Sequence, residues 1–240
     1  MDKAKNIKIT LAIIYVLIIS IFLWFFFKYF SIQDFTSFEI IKSNRDSLNE
    51  LKNKNIFLSS IIFLLITIVW VLLLGFAAPI FLVGGFIFGK WIGTLIVLFG
   101  LTVGSTFLYI IANYILKDFI YEKFSSKFSF LIYKFKKNEF IYFVLYRAIG
   151  GLPFFLQNLL PTLFNIKIKN YFYGSLIGLA PQLFIGVSLG AGVNKLIDDN
   201  ENMPSFLQMI STPDIYLPIF GLIAIFIIAF FSRKKFFKSN

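Results

Sequence analysis

Residues 56–116 carry a single charge, Lys90, in an otherwise almost uniformly apolar run. A soluble fold cannot hide so long a stretch, because its helices need a polar face for water. The solvent for this run is a bilayer, where one spanning helix takes about 20 apolar residues. Further apolar runs cover 9–27, 140–166, 170–193 and 215–231, and Arg147 is the one charge inside 140–166. In all, 58% of the 240 residues are hydrophobic and 34 are Phe. The expected fold class is an all-α polytopic membrane protein.

The chain has no cysteine and no histidine. That removes disulfides, thiol chemistry and most zinc and haem sites, so no cofactor is expected. No acid lies at 51–117 or at 140–197. Little is left inside the apolar runs from which to build an enzyme, and proton coupling through buried carboxylates is disfavoured. The net charge is +11, with the basic residues in short segments beside apolar runs. That distribution serves topology and attraction to anionic lipid headgroups rather than nucleic acid.

Lysine and arginine counts set the orientation, with basic loops kept in the cytoplasm. Residues 31–55 are neutral overall, 117–139 carry net +3, and 194–214 carry net −3. Lys167 and Lys169 follow the run that holds Arg147, and Arg233, Lys234, Lys235 and Lys238 follow the last one. This places both termini, 117–139 and 167–169 inside, and 31–55 and 194–214 outside. The first apolar run follows Lys3, Lys5 and Lys8 and is too long for a typical signal core, so 1–30 is read as an uncleaved anchor.

Counting crossings then raises a conflict. The run 56–116 must cross an odd number of times yet is long enough for two spans or more. The run 140–166 must cross an even number of times yet is too short for two. A re-entrant hairpin in each resolves both: one over about 56–90, breaking at Gly75 and Pro79, and one over about 140–166, breaking at Gly150, Gly151 and Pro153. Glycine accepts any φ, and proline removes a backbone donor, so both are plausible turns. Residues 91–116 and 170–193 then cross the membrane. Pro79 is followed at +21 and +25 by Gly100 and Gly104, and Pro153 at the same offsets by Gly174 and Gly178. Such G-x-x-x-G faces let helices approach closely in lipid. The matching register argues for an inverted repeat of hairpin plus transmembrane helix, flanked by an N-terminal helix and a C-terminal helix over 215–232, with 233–240 as a basic tail.

Arg147 stands immediately before the second break, with Gln157 and Asn158 just beyond it. Two roles fit. A guanidinium matches phosphate in bidentate geometry and keeps its proton, so Arg147, Gly150, Gly151, Pro153, Gln157 and Asn158 can form a headgroup site in a groove open to the cytoplasmic leaflet. Equally, Arg147 can cap backbone carbonyls that the break frees. The aromatic and lysine-rich linker 117–139 is expected to lie on the inner membrane surface.

The segments GFAAPIFLVGGFIFGKWIGTLIVLFGLTVGSTFLYIIANYI, RAIGGLPFFLQN and YFYGSLIGLAPQLFIGVSLGAG resemble the VTT domain of the DedA superfamily, also called the SNARE-associated Golgi protein family. The likeness covers roughly residues 70–193 and rests on Pro79, Gly85, Phe88, Gly89, Gly93, Gly100 and Gly104, then Arg147, Pro153, Asn158, Gly174, Gly178 and Pro181. It implies two facing re-entrant hairpins and a role in moving lipids. Eukaryotic relatives are regarded as phospholipid scramblases. Some bacterial relatives are linked to returning undecaprenyl phosphate, and others to membrane homeostasis. Three departures stand out. Gly150 and Asn113 replace a common proline and arginine, and the acids that carrier-lipid members place in the first hairpin are missing. The expected activity is translocation or scrambling of a phospholipid or polyprenyl-phosphate lipid. An ion-coupled solute transporter and a non-transporting structural protein are the alternatives. Expected partners are membrane lipids with anionic headgroups; homo-oligomerisation is left open. The Lys, Asn, Ile and Phe bias points to an AT-rich bacterial genome and hence to the plasma membrane.

Overall fold

The computed structural model describes residues 2–29 and 55–199, with isolated positions between 211 and 223. The polar segment 31–54, the C-terminal helix expected at 215–232 and the tail 233–240 fall, those positions aside, outside the described residues. All regular structure among the described residues is helical. Among the described residues, three helical stretches are long and apolar enough to cross a membrane: Asn6–Phe26, Ala77–Ile115 and Ile168–Gly192.

Helix α1 (Asp2–Tyr29) lies against the outside of the bundle. Its Tyr15 hydroxyl donates to Leu72 O, and Phe22 and Phe26 meet Trp70 at 6.0 and 5.4 Å between ring centroids. Helix α2 (Ile56–Leu72) starts where the Asn55 side chain accepts from Leu58 N at 3.0 Å, which satisfies one orphan donor of the first turn. Its 17 residues make about 26 Å, short of the ~30 Å hydrocarbon core. The chain then turns at 73–76. Leu74 takes a left-handed φ of 61°, and Gly75 sits so close under the Trp70 indole that a Cβ there would lie 2.2 Å from Nε1. Pro79 falls in the first turn of the next helix rather than in the break, where its missing donor leaves no bond unmade.

Helix α3 (Ala77–Ile115) would be about 58 Å long if straight, nearly twice a bilayer core. Gly89, at φ 73° and ψ 176°, breaks it into a limb over 77–88 and a long helix over 90–115. Phe88 at the limb's end packs edge-on to Phe63, midway along α2, at 5.5 Å, so the limb doubles back along α2. Two short helices follow, α4 (Lys117–Phe124) and α5 (Ser129–Lys137).

A second broken segment follows, and then another long helix. Helix α6 (Glu139–Ile149) is capped by Asn138, whose side chain accepts from Ile141 N at 3.2 Å. Gly150 and Gly151 then take φ values of 65° and 80°, which favour residues without a Cβ. Helix α7 (Phe154–Leu159) and a 3-10 turn (Leu160–Phe164) lead back. Glu139 Oε1 accepts from Lys167 N and Asn170 Nδ2, both at 2.8 Å, so the two ends of 139–167 meet. Helix α8 (Ile168–Asp199) follows and runs into the segment assigned from sequence to an outer loop beginning at 194. The apolar pattern stops near 193 but nothing there breaks a helix.

The glycines set the packing. A Cβ on Gly100 or Gly104 would press on Thr67 and Val71 of α2, and one on Gly174 or Gly178 on Phe143 and Arg147 of α6. In both halves the long helix thus closes on the helix that precedes the break. Between the halves the limb 77–88 crosses α8 backbone to backbone. A Cβ on Gly85 would lie 2.0 Å from Val187 O, and one on Gly190 2.1 Å from Leu82 O. The main core gathers there, around Phe86, Val97, Leu101, Leu108, Leu179 and Val187. Gly85→Ala and Gly190→Ala are therefore expected to cost about 1–3 kcal/mol each through overpacking. Gly151→Ala, strained in φ but in open space, is expected to cost about 1 kcal/mol. Thermal unfolding in detergent should rank the three that way.

Candidate functional site

Arg147 lies in the last turn of α6, just before the break, and is 0% exposed. Helix spacing puts Phe143 one turn below it on the same face. From α8, Tyr171, Ser175, Gly178 and Gln182 recur at helical intervals and form one stripe facing α6. Gly178 lets the arginine stem pass: a Cβ there would stand 2.5 Å from Arg147 Cβ. The guanidinium then meets three side chains. Nε donates to Ser175 Oγ at 3.1 Å, Nη1 to Asn158 Oδ1 at 2.8 Å, and Nη2 to the Tyr171 hydroxyl. The rings of Phe143 and Tyr171 flank it at 5.2 and 5.0 Å. Tyr109 of α3 stacks on Tyr171 at 4.3 Å and donates to Ile166 O at 2.6 Å, closing the nest from the first half of the chain.

Among the described residues no carboxylate pairs with Arg147; the ion pair present is Lys8–Asp118, at 3.4 Å. The charge is held by hydrogen bonds and ring faces alone. Hydrogen bonds to a charged group contribute about 1.5–3 kcal/mol each, and desolvated cation–π contacts up to about 2 kcal/mol. Those terms offset a desolvation cost of several kcal/mol for an unneutralised ion. A guanidinium carries five N–H donors, and three are engaged. Asn158 Nδ2, on the amide that accepts from Nη1, is buried without a partner among the described residues; Gln157 Oε1, on the amide that serves Leu152 O, is likewise buried and unpartnered among them.

The two roles considered for Arg147 meet the geometry differently. Its guanidinium bonds to side chains rather than to carbonyls. The carbonyls freed at the break go to amides: Gln157 Nε2 donates to Leu152 O at 3.0 Å, and Gln182 Nε2 to Arg147 O at 3.1 Å. Capping of the break thus belongs to Gln157 and Gln182. Nor does Arg147 line an open groove in this conformation, because Phe143, Tyr171 and Asn158 enclose it. Of the residues singled out from sequence, Arg147 and Asn158 bond directly, while Gln157 bonds across the turn to Leu152 O. Gly150 packs near Gln182, while Gly151 and Pro153 sit exposed at the turn. Gly75 belongs to the other break and Pro79 to the first turn of the helix after it, and Gly100, Gly104, Gly174 and Gly178 are packing positions. Tyr109, Tyr171, Ser175 and Gln182 were not anticipated. The stripe spacing on α8 was the available signal for three of them, and nothing local pointed to Tyr109.

Residues 76–192 match the VTT domain. The chain belongs to the VTT-domain family. The VTT match takes in both breaks' downstream limbs, the Arg147 nest and the long helices that enclose it. Among its relatives is "Transmembrane protein 41 homolog" of Dictyostelium discoideum, 28% identical over 183 residues, which covers 72% of this chain and 54% of that protein. Another is "Uncharacterized protein YqeD" of Bacillus subtilis (strain 168), 30% identical over 117 residues, covering 47% of this chain and 56% of that one. The chain thus spans about half the length of the curated relatives it matches. No solved structure matches it.

A double-mutant cycle tests whether the nest is held as drawn. Asn158→Ala should destabilise by about 2–4 kcal/mol, because it strips a partner from a buried charge. In an Arg147→Met background the same change should cost clearly less, with a coupling above about 1 kcal/mol in thermal unfolding.

Proposed function

We propose that this VTT-domain protein moves the phosphate-bearing headgroup of a membrane lipid, a phospholipid or a polyprenyl phosphate, between leaflets. The observation that carries this reading is Arg147: a buried charge in lipid with no acid beside it among the described residues, and with donors to spare. Charges at such depth are costly and kept for function by default. Guanidinium donors and Asn158 Nδ2 converge where a phosphate would accept from both. In the proposed cycle the observed conformation is the closed one. Tyr171 and Phe143 swing from the guanidinium to admit a headgroup, and the acyl chains stay in the bilayer.

In this reading 56–88 and 139–167 are re-entrant hairpins that dip from opposite faces, each with its own long helix, and the two halves form an inverted repeat. The doubling back of both segments supports it, as does the shared glycine packing. In the same reading the basic segments keep both termini inside, and the Lys, Asn, Ile and Phe bias favours a bacterial plasma membrane. Ion-coupled solute transport would find no acid at 51–117 or 140–197 to work with. A purely structural role has one observation in its favour, since the Arg147 bonds tie α6, α7 and α8 together.

Liposomes with fluorescent lipid in both leaflets separate these readings. Dithionite should bleach well beyond the outer-leaflet half when the wild type is present. Arg147→Gln, which loses the bidentate charge, should slow lipid exchange by roughly 10–100-fold, and Arg147→Lys should fall between. Thermal unfolding of the same preparations guards against simple misfolding. A folded Arg147→Gln variant that exchanges lipid at the wild-type rate, or a wild type that never passes the outer-leaflet limit, refutes the proposal.

A further inference from the structure

Helices α4 and α5 and the turn joining them form a strap outside the Arg147 nest. Their apolar side chains divide into two sets. Ile120 and Phe135 point inward and are buried. Phe135 stacks flat on Phe164, centroids 4.1 Å apart, and reaches Tyr142 and Tyr146 at 6.2 and 6.5 Å. The other set, Phe119, Phe130 and Tyr133, points outward and is 57–68% exposed. Each outer ring carries a lysine one helical turn on. Lys123 lies over Phe119 at 5.5 Å, Lys134 over Phe130 at 5.3 Å, and Lys137 over Tyr133 at 5.4 Å.

Two anchors fix the height of this strap. Lys117 Nζ donates to Asn165 Oδ1 at 2.7 Å, which ties its start to the turn before α8. Lys8 pairs with Asp118, which ties it to the start of α1. Tyr146, touched by Phe135, lies about 10 Å along α6 from Glu139. The strap therefore rests beside the bundle rather than above it, and its outer face looks sideways, at the depth where apolar helices begin. Aromatic rings topped by lysines suit that boundary: the rings take the acyl–headgroup border and the ammonium groups the phosphates.

We infer that this outer face is a docking surface for an anionic leaflet, with Phe119, Phe130 and Tyr133 wedged among headgroups and Lys123, Lys134 and Lys137 paired to lipid phosphates. Charge complementarity selects the occupant. The strap's outer stripe is cationic, and the lipid surface is the partner that also takes three exposed rings. The inference goes beyond headgroup translocation and does not depend on it; a strap that docks tells nothing of what Arg147 moves.

Because the chain has no cysteine, Phe130→Cys gives one site for a spin label at a position too exposed to disturb the core. The labelled protein would be placed in nanodiscs of phosphatidylcholine alone or mixed equally with phosphatidylglycerol. Collision with oxygen against a water-soluble nickel chelate reads depth. The expected result is a label shielded from nickel, with a further inward shift when phosphatidylglycerol is present. Lys123→Gln, Lys134→Gln and Lys137→Gln together should abolish that shift. A label open to nickel in both lipids overturns the inference, and so does a shift that survives the triple change. Immobilisation by an added oligonucleotide or acidic peptide with no response to phosphatidylglycerol overturns it too, in favour of a soluble partner.

Discussion

In hydrocarbon there is no water to take a backbone group that a broken helix releases, so each break must be served from within. That requirement organises this protein. At the first break aromatic side chains do the work: Trp70 Nε1 donates to Phe76 O at 2.7 Å and Tyr15 to Leu72 O. At the second, the amides of Gln157 and Gln182 take Leu152 O and Arg147 O. Both breaks are held by side chains from neighbouring helices as well as their own.

The two halves share a frame and differ in its filling. Gly104 receives Val71 where Gly178 receives Arg147, and Gly100 receives Thr67 where Gly174 receives Phe143. The first half therefore puts an apolar side chain where the second puts a guanidinium. Ser175 and Asn158 follow from that difference, since a buried charge must be surrounded by acceptors. The frame is common packing, and the buried charge sits in one half.

Much of the frame was legible in the sequence because it is written in glycine, proline and charge. The break at 150–153 is spelled by two glycines and a proline, and the glycine offsets predicted contacts that the backbone makes. The ends of α8 were less clear, because hydropathy falls before the helix does. The occlusion of Arg147 was hidden. Tyr109, which stacks on its ring neighbour Tyr171, lies far away in the chain, and an aromatic in a run so rich in Phe and Tyr gives no sign of its partner. The amides that take the carbonyls were hidden for a related reason. Gln182 lies next to Pro181 in an apolar helix, and only the folded chain brings its amide to α6.

The central claim is that the Arg147 segment leaves one membrane face and returns to it, carrying a charge to depth. Single cysteines at Asn138 and Lys169, in sealed vesicles of one orientation, read this directly with a membrane-impermeant thiol reagent. Equal labelling of both from the same side is the predicted result. Labelling from opposite sides would mean that 139–167 crosses the membrane, and the account of the Arg147 site would fail with it.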